Sequence, residues 1–317
     1  VMGKQAQTMF ESVQSYISNN MGWLFIFSVN TFLIFSVILA FSRFGNIRIG
    51  GDDAKPEFST LAWFAMLFSA GMGIGIMFWS VAEPIYHFLS PPMAEGETVE
   101  AARQAMSLTY LHWGFHAWGI YAIVALSLAF FAFNRGLPLS FRSVFYPVLG
   151  DRIEGWIGDV IDTLAVLATL FGLATSLGLG VKQVSAGLNH LFAFPDTVWL
   201  QVGLIIGITM IATVSVILGI DKGVRVLSEV NIRIAVLFLV FMLIVGPTIY
   251  ILDSFVQNLG HYANNILTYS FWTETYEDST WQNNWTVFYW AWWISWSPYV
   301  GMFIARISKG RTVKEFV

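Results

Sequence analysis

Ser69-Ala70-Gly71-Met72-Gly73-Ile74-Gly75 lies in the middle of an apolar segment that runs from residue 60 to residue 88. Each glycine costs a helix about 1 kcal/mol relative to alanine, so three glycines at alternate positions predict an unwound stretch. Inside a bilayer, unwound backbone is tolerated only where protein buries it or where it lines a cavity, and there its carbonyls can bind Na⁺. The alternative is close helix packing through small residues, but the alternate spacing favours unwinding.

The rest of the chain is similarly apolar. Of its 317 residues, 56% are hydrophobic and 11% are charged, whereas soluble domains carry about 25% charged residues. This composition excludes a soluble enzyme with a single core. A helix needs about 20 apolar residues to cross a bilayer, and barrel strands would alternate over about 10 residues. The sequence predicts helical spans at 22–42, 60–88, 108–133, 157–180, 197–219, 233–252 and 285–305.

Basic residues fix a predicted orientation. All of the 16 Lys and Arg residues except Lys4, Arg103 and Lys182 follow the first, third, fifth or seventh span. Because positive charge accumulates on the cytoplasmic side, these four loops are predicted to be cytoplasmic. The segment 253–284 has no Lys or Arg and several acidic residues, so we expect it outside, with an interfacial helix over Phe255–Ser270. The loops leave no room for a separate soluble domain.

Charge and cysteine content exclude further classes. The net charge of −4 provides no basic surface for nucleic acid. The chain has no cysteine, hence no disulfide framework and no thiolate metal site. The chain starts without a signal-peptide pattern and ends within a basic amphipathic stretch, so we expect it to be part of a longer protein.

Three polar residues in the apolar segments could carry a proton or bind a metal ion. Glu83 lies about 16 Å from the middle of its span, at 1.5 Å per residue, which predicts an interfacial or capping carboxylate rather than a proton relay. His112 and His116 have the spacing of a metal pair, but the sequence shows no carboxylate or third histidine near them, so packing between helices is the preferred interpretation. A membrane enzyme would need a convergent set of His, Asp or Ser side chains, and none is visible, so no catalytic residue is predicted. An ion channel would need a continuous polar pore, whereas the aromatic residues described next favour a bulky, dehydrated ligand.

Aromatic residues give the strongest functional signal. In the segment 285–305, one helical face within an arc of about 80° carries Trp285, Tyr289, Trp292, Trp296 and Tyr299. In the segment 108–133, Trp113, Trp118 and Tyr121 share a second face. Several of these rings lie too deep for an interfacial belt. Clustered π faces attract a cation, above all a quaternary ammonium group, although aromatic packing within a helix bundle is the open alternative.

Three motifs resemble the betaine/choline/carnitine transporter family: residues 69–78, Trp113-Gly-Phe-His-Ala-Trp118-Gly-Ile-Tyr121, and Trp290-Ala-Trp-Trp-Ile-Ser-Trp-Ser-Pro298. The resemblance implies an all-α polytopic membrane protein with the LeuT-like inverted-repeat transporter fold, located as a multi-pass protein in the bacterial plasma (inner) membrane. It implies that residues 1–317 form part of one transmembrane domain of twelve spans, without the first span and the last four. Residues 60–252 would be the first inverted repeat, and 285–317 would begin the second. Family members are usually homotrimers.

The resemblance also assigns site residues. By the family's pattern, the cage for a trimethylammonium group is formed by Trp113, Trp118, Tyr121 and Trp293. Trp292 and Trp296 match tryptophans along the substrate pathway. Phe78 and Tyr299 match the aromatic pair of the outer gate, with tyrosine replacing phenylalanine at 299.

The expected Na⁺ ligands are less complete. Ala70 and Met72 match backbone ligands of one Na⁺ site. Thr169 matches the first threonine of a second site, but Leu173 stands where the family has another threonine, which puts the second ion in doubt. No covalent cofactor is expected.

These assignments predict a secondary transporter that imports glycine betaine or a related zwitterionic osmolyte, such as a dimethylsulfonio compound, together with Na⁺. Choline-type members tend to carry aspartate at the position of Gly75, so glycine there favours a zwitterion. The alternatives are a Na⁺-independent exchanger of the carnitine type and a choline transporter. The expected partners are the osmolyte, Na⁺, the lipid membrane and two further copies of the chain.

Overall fold

The structure, a computed structural model, describes residues 3–71, 73–277 and 279–317. In the described residues the secondary structure is helical, apart from one isolated bridge between Arg48 and Thr312. This confirms the predicted all-α class. The α-helices are α1 (Gly3–Phe41), α2 (Thr60–Gly71), α3 (Ile74–Leu89), α4 (Val99–Trp113), α5 (Phe115–Ala129), α6 (Phe141–Val144), α7 (Tyr146–Leu149), α8 (Trp156–Phe192), α9 (Val198–Ile217), α10 (Arg225–Val245), α11 (Thr248–Phe271), α12 (Phe288–Ile307) and α13 (Val313–Phe316).

Shorter helical turns connect these elements. Single 3₁₀ turns form at Arg43–Asn46 and Gly150–Glu154. Turns of π-helix form at Phe130–Asn134, Ile220–Val224 and Asn283–Val287. The first two π turns extend the neighbouring helices into continuous spans.

Five helical stretches are long and apolar enough to cross a membrane: Gly3–Phe41, Val99–Asn134, Trp156–Phe192, Val198–Ile217 and Ile220–Val245. A sixth forms if Thr60–Gly71 and Gly75–Leu89 are one bent span. The seventh predicted span, 285–305, is largely the 20-residue helix α12, but Trp, Tyr and Ser side chains make it less apolar than the others. The chain is therefore a multi-pass membrane protein.

The helix breaks agree only partly with the sequence predictions. The α2 and α3 axes differ by 57° around the alternate glycines, as their spacing predicts. Within the predicted span 108–133, however, a second break at Gly114 separates α4 from α5. The predicted span 233–252 was wrong at its end, because α10 ends at Val245 and α11 starts after Pro247, which has no N–H to continue the helix. The predicted interfacial helix, Phe255–Ser270, forms the C-terminal two thirds of α11, and its position at the membrane interface stays a prediction.

Helix α12 lies at the centre of the fold, packed against α5 and α8. Its approach to α5 depends on Gly301, where an added Cβ would lie 2.6 Å from Val124 Cγ1. Helix α5 also packs on α1, while α3 and α11 pack on α4. The side chains of Tyr289 and Trp290 on α12 are fully buried as a result. This arrangement places the aromatic face of α12 against α4 and α5.

A short backbone clamp joins the end of α12 to the chain after α1. Gly310 N–H donates to Ile49 O at 2.8 Å, and Val313 N–H donates to Ile47 O at 2.9 Å. Gly310 has a φ of +85°, and a Cβ there would lie 2.2 Å from the Lys55 carbonyl carbon. The clamp therefore requires glycine at position 310.

Candidate functional site

Aromatic rings from α4, α5 and α12 meet inside the bundle. We refer to Trp113, Tyr121, Tyr289, Trp292 and Trp293 as the aromatic cluster. Trp292 and Trp293 stack with ring centroids 4.7 Å apart, and Trp113 meets Trp293 edge-on at 4.9 Å. Tyr289 stacks on Trp292 at 6.1 Å, and Tyr121 lies 6.4 Å from Trp293. The structure thus brings together four of the six predicted substrate residues, with Tyr289 added.

The break at Gly114 helps to position this cluster. A Cβ at Gly114 would lie 2.4 Å from Tyr110 O, so only glycine fits there. Because α4 ends at Trp113, its last carbonyls lack partners within the helix. One of them, His112 O, accepts a hydrogen bond from Trp293 Nε1 at 2.8 Å. The helix end therefore holds a ring of α12 in place.

The other indole N–H groups of the cluster also donate hydrogen bonds. Trp113 Nε1 donates to Glu83 Oε2 at 2.7 Å, and Trp292 Nε1 donates to Ser176 Oγ at 3.2 Å. Each N–H edge is thereby fixed to a polar group. The first turn of α3, directly after the break between α2 and α3, borders the same rings, since a Cβ at Gly75 would lie 3.6 Å from Trp292 Cη2 and 3.8 Å from Trp113 Cη2.

The remaining predicted substrate and gate residues lie around the cluster. Trp118 meets Tyr121 at 6.0 Å and lies against α2, where its Cζ2 would be 2.5 Å from a Cβ at Gly71. Trp296 packs on Tyr299 at 5.1 Å, and both line a cavity of 1140 Å³ between α2, α8, α10 and α12. Phe78 contacts Trp79 at 5.0 Å.

Two of the predicted ion ligands lie at this cavity. Ala70 and Thr169 both line it, whereas Met72 lies outside the described residues. The hydroxyl of Thr169 donates to Ala165 O of its own helix at 2.9 Å, as hydroxyls in helices often do. The ion-binding role of these residues stays a prediction.

Glu83, interpreted from the sequence as an interfacial or capping carboxylate, is completely buried among other side chains of the chain. Its Oε2 accepts from Trp113 Nε1 and from the Tyr289 hydroxyl at 2.5 Å. Its Oε1 contacts His112 Nδ1 at 2.6 Å and His87 Nε2 at 3.2 Å. The helix that carries Glu83 packs against α4, so depth along the chain did not predict exposure. We call Glu83, His87 and His112 the carboxylate network.

The expectation that His112 has no carboxylate or third histidine nearby was also wrong. The i,i+4 spacing of Glu83 and His87 was a signal for a shared face, but their meeting with His112 is tertiary. The three residues offer ligand atoms within 4.8 Å of one another. The 2.6 Å separation of Glu83 Oε1 and His112 Nδ1 is nevertheless that of a hydrogen bond, whereas tetrahedral Zn²⁺ would hold two ligands about 3.3 Å apart. The packing role predicted for His116 agrees with its contacts to Asn30 and Ser270.

A multi-pass helical bundle with a discontinuous helix beside a buried aromatic cluster is typical of secondary transporters. The chain belongs to the betaine/carnitine/choline family transporters (BCCT), whose family model matches residues 1–317. The family resemblance drawn from the three motifs is thereby confirmed.

Curated relatives agree with this assignment. The chain is 49% identical over 311 residues to the glycine betaine transporter of Acinetobacter baylyi, covering 98% of this chain and 47% of that protein. It is 49% identical over 314 residues to the glycine betaine transporter OpuD of Bacillus subtilis, covering 98% and 61%. It is 47% identical over 331 residues to the glycine betaine/proline/choline transporter VP1723 of Vibrio parahaemolyticus, covering 99% and 60%. The chain thus spans about half to three fifths of these relatives.

Proposed function

We propose that the protein carrying this chain imports glycine betaine or a related zwitterionic solute by Na⁺-coupled symport with alternating access. The aromatic cluster is the main support. A quaternary ammonium group has no N–H to donate, and a desolvated contact with an aromatic face contributes about 2 kcal/mol. The cluster offers such faces inside the bundle, with the indole N–H groups occupied elsewhere. The relatives named as glycine betaine transporters support the same substrate.

The cavity between α2, α8, α10 and α12 supports a path to the cytoplasm. Its lining includes Trp296 and Tyr299, which follow the cluster along α12, and Arg306 at the predicted cytoplasmic end. In the proposed cycle, Na⁺ binds through the carbonyls of Ala70 and Met72, with Thr169 as a further ligand. Each charge moved down the membrane potential supplies about 2.3 kcal/mol per 100 mV. This energy would drive accumulation of the solute.

A Na⁺-independent exchanger is the second candidate. It is favoured by Leu173, which offers no side-chain oxygen one turn from Thr169, and by the hydrogen bond of Thr169 to its own helix. A choline transporter is disfavoured by Gly75, because this position in the first turn of α3, which borders Trp113 and Trp292, carries no charge to match a cationic substrate.

Transport by the purified protein in proteoliposomes tests the proposal. Uptake of radiolabelled glycine betaine is measured over a Na⁺ titration. The unlabelled competitors are glycine betaine, choline, carnitine, ectoine and dimethylsulfoniopropionate. We expect Na⁺-dependent uptake that glycine betaine or dimethylsulfoniopropionate inhibits best. Uptake that needs internal substrate but no Na⁺ would establish the exchanger instead. We also propose a homotrimer in the bacterial plasma membrane, which chemical cross-linking of membranes would detect as a threefold mass.

A further inference from the structure

The carboxylate network directly adjoins the aromatic cluster, and the substrate assignments made from the sequence did not include it. Glu83, His87 and His112 are each fully buried. Two donors of the cluster, Trp113 Nε1 and the Tyr289 hydroxyl, end on the same oxygen of Glu83. The carboxylate on α3 thus holds a ring from α4 and a ring from α12 by two short bonds.

The partners of Glu83 can all act as donors to an ionised carboxylate. An indole N–H can only donate, so Oε2 is an acceptor for Trp113. At Oε1, His112 can donate through Nδ1, and its Nε2 can accept from the Thr286 hydroxyl 2.9 Å away. A neutral His112 therefore satisfies both contacts while Glu83 accepts at both oxygens, as an ionised carboxylate does. Among the described residues, the basic side chains that contact Glu83 are His87 and His112, and no Lys or Arg forms an ion pair with it.

Such a carboxylate changes the ring that donates to it. A charge-assisted hydrogen bond is stronger than a neutral one, and hydrogen-bonded groups polarise one another. A bond from Trp113 Nε1 to a carboxylate shifts electron density into the indole and makes its π face more negative. Because a cation binds to that face through electrostatics, the shift strengthens cation binding without any contact between Glu83 and the substrate.

We propose that Glu83 is a specificity-determining positioning residue: acting through Trp113 and Tyr289, it makes the aromatic cluster selective for a cationic head over a neutral head of the same shape. This inference rests on the proposed function and extends it to a residue that does not touch the substrate. The substrate class it selects is a zwitterion with a methylated cationic head, either ammonium or sulfonium.

The test compares two ligands of equal shape. Glycine betaine carries a trimethylammonium head, and tert-butylacetate has carbon in place of the nitrogen. Equilibrium binding of radiolabelled betaine to the purified full-length protein, with competition by tert-butylacetate, gives the affinity ratio of the two ligands. Glu83→Gln keeps the size of the side chain, and its amide can donate to the two imidazoles. We expect this variant to lose about tenfold in the betaine/tert-butylacetate ratio, which is about 1.4 kcal/mol, with the tert-butylacetate affinity unchanged.

Glu100→Gln is the matched control. It also removes one carboxylate, but the Glu100 side chain is 50% exposed at the outer end of α4 and pairs with Arg103. We expect its affinity ratio to equal that of the unmodified protein. An equal loss of the affinity ratio in Glu100→Gln would mean that the total negative charge near the outer face determines the ratio. This result would overturn the assignment to Glu83.

Trp113→Phe supplies a second route, which keeps an aromatic ring but removes the N–H that reaches Glu83. If Glu83 acts through Trp113, the Glu83→Gln and Trp113→Phe effects on the ratio are not additive in the double variant. Simple addition would overturn the proposal, as would equal loss of both ligands in Glu83→Gln, which indicates a purely structural role. If the unmodified protein binds no betaine, the proposed function fails. If it binds betaine and the ratio survives Glu83→Gln, only this inference fails.

Discussion

Replacing Trp293 by alanine is the most direct test of the aromatic cluster. The side chain of Trp293 is 6% exposed. Its ring contacts Trp113 edge-on at 4.9 Å and stacks on Trp292 at 4.7 Å. Its Nε1 donates to His112 O at 2.8 Å. The ring is thus held from several sides, and its loss removes both a π face and an anchor of α12 to α4.

The expected magnitude follows from the lost cation contact. A desolvated cation–π contact contributes about 2 kcal/mol, which corresponds to roughly a 30-fold weaker affinity at 1.4 kcal/mol per factor of ten. We therefore expect Trp293→Ala to raise the Kd and the transport KM for glycine betaine by at least tenfold. Truncating a buried tryptophan also lowers the free energy of unfolding by about 3–5 kcal/mol.

Trp293→Phe separates these two effects. Phenylalanine keeps a π face but leaves His112 O without its donor, and an unsatisfied buried group costs about 1–3 kcal/mol. We expect this variant to lose stability but to retain most of its betaine affinity. Binding of radiolabelled betaine and thermal unfolding are measured for both variants. Trp199→Ala, which removes an 82% exposed tryptophan on α9, is the control.

Two results would refute this reasoning. A folded Trp293→Ala protein with unchanged betaine affinity would show that the ring does not face the substrate. Equal loss of betaine affinity in the phenylalanine and alanine variants would show that Trp293 acts by anchoring α12 rather than through its π face. In either case the cluster would be aromatic packing within the bundle.

Three further substitutions test other parts of the molecule. Gly310→Ala should lower the free energy of unfolding by about 1–3 kcal/mol, measured by thermal unfolding, because its Cβ would lie 2.2 Å from the Lys55 carbonyl carbon at a φ of +85°. Gly75→Asp should raise affinity for choline relative to glycine betaine in competition binding, because it adds a carboxylate beside the cluster. Ser185 donates to Asp196 and helps to hold its pKa below the ordinary value, so ionised Asp196 stabilises the fold. That stabilisation is present above the unfolded pKa of about 3.9 and is lost as pH falls through the lower folded value. Ser185→Ala should therefore lower the Tm at neutral pH, with a smaller difference in acid.

Each of these substitutions has a matched control. Gly51 has a similarly positive φ of +95°, but nothing lies within 4 Å of an added Cβ. Gly51→Ala therefore isolates the cost of the backbone conformation. An equal loss of unfolding free energy in Gly51→Ala and Gly310→Ala would contradict the proposed clash. Gly75→Asn adds a side chain of the same size without charge, and a choline preference in this variant would contradict the electrostatic explanation. Asp196→Asn should remove the effect of Ser185→Ala on the pH dependence, and persistence of that effect would assign it to another group.

The sequence predicts one of the two helix breaks near the cluster and not the other. Three alternate glycines sum to a helix penalty that sequence alone makes visible, and the α2–α3 bend follows. Gly114 is one glycine in an apolar segment, and its penalty does not distinguish a break from close packing. The reason for the break is tertiary: Trp293, far away in sequence, takes up the carbonyl of His112. No local pattern contains that information.

The aromatic cluster and the carboxylate network differ in the same way. The faces that carry Trp113 and Trp293 follow from helical periodicity, and the structure brings these rings together. The burial of Glu83 was not predicted, because its depth was measured along one helix as if that helix faced lipid or water. Its partners come from α4 and α12, and the desolvation of a carboxylate is tolerable only when such partners exist. Burial of a charge is therefore predictable only together with the donors that satisfy it.

The polar anchors and the π faces have complementary roles at this site. An indole offers one donor at its edge and a negative potential on its face. In this bundle the edges of Trp113, Trp292 and Trp293 are bonded to Glu83, Ser176 and His112 O. A ring bonded at its edge cannot rotate without leaving a buried donor unpaired, which costs about 1–3 kcal/mol. The carboxylate and the helix end at Gly114 thus keep the faces oriented before any ligand arrives. Under the proposed function, a cation that binds there need not supply the energy of ordering the rings, and this preorganisation would favour a trimethylammonium head.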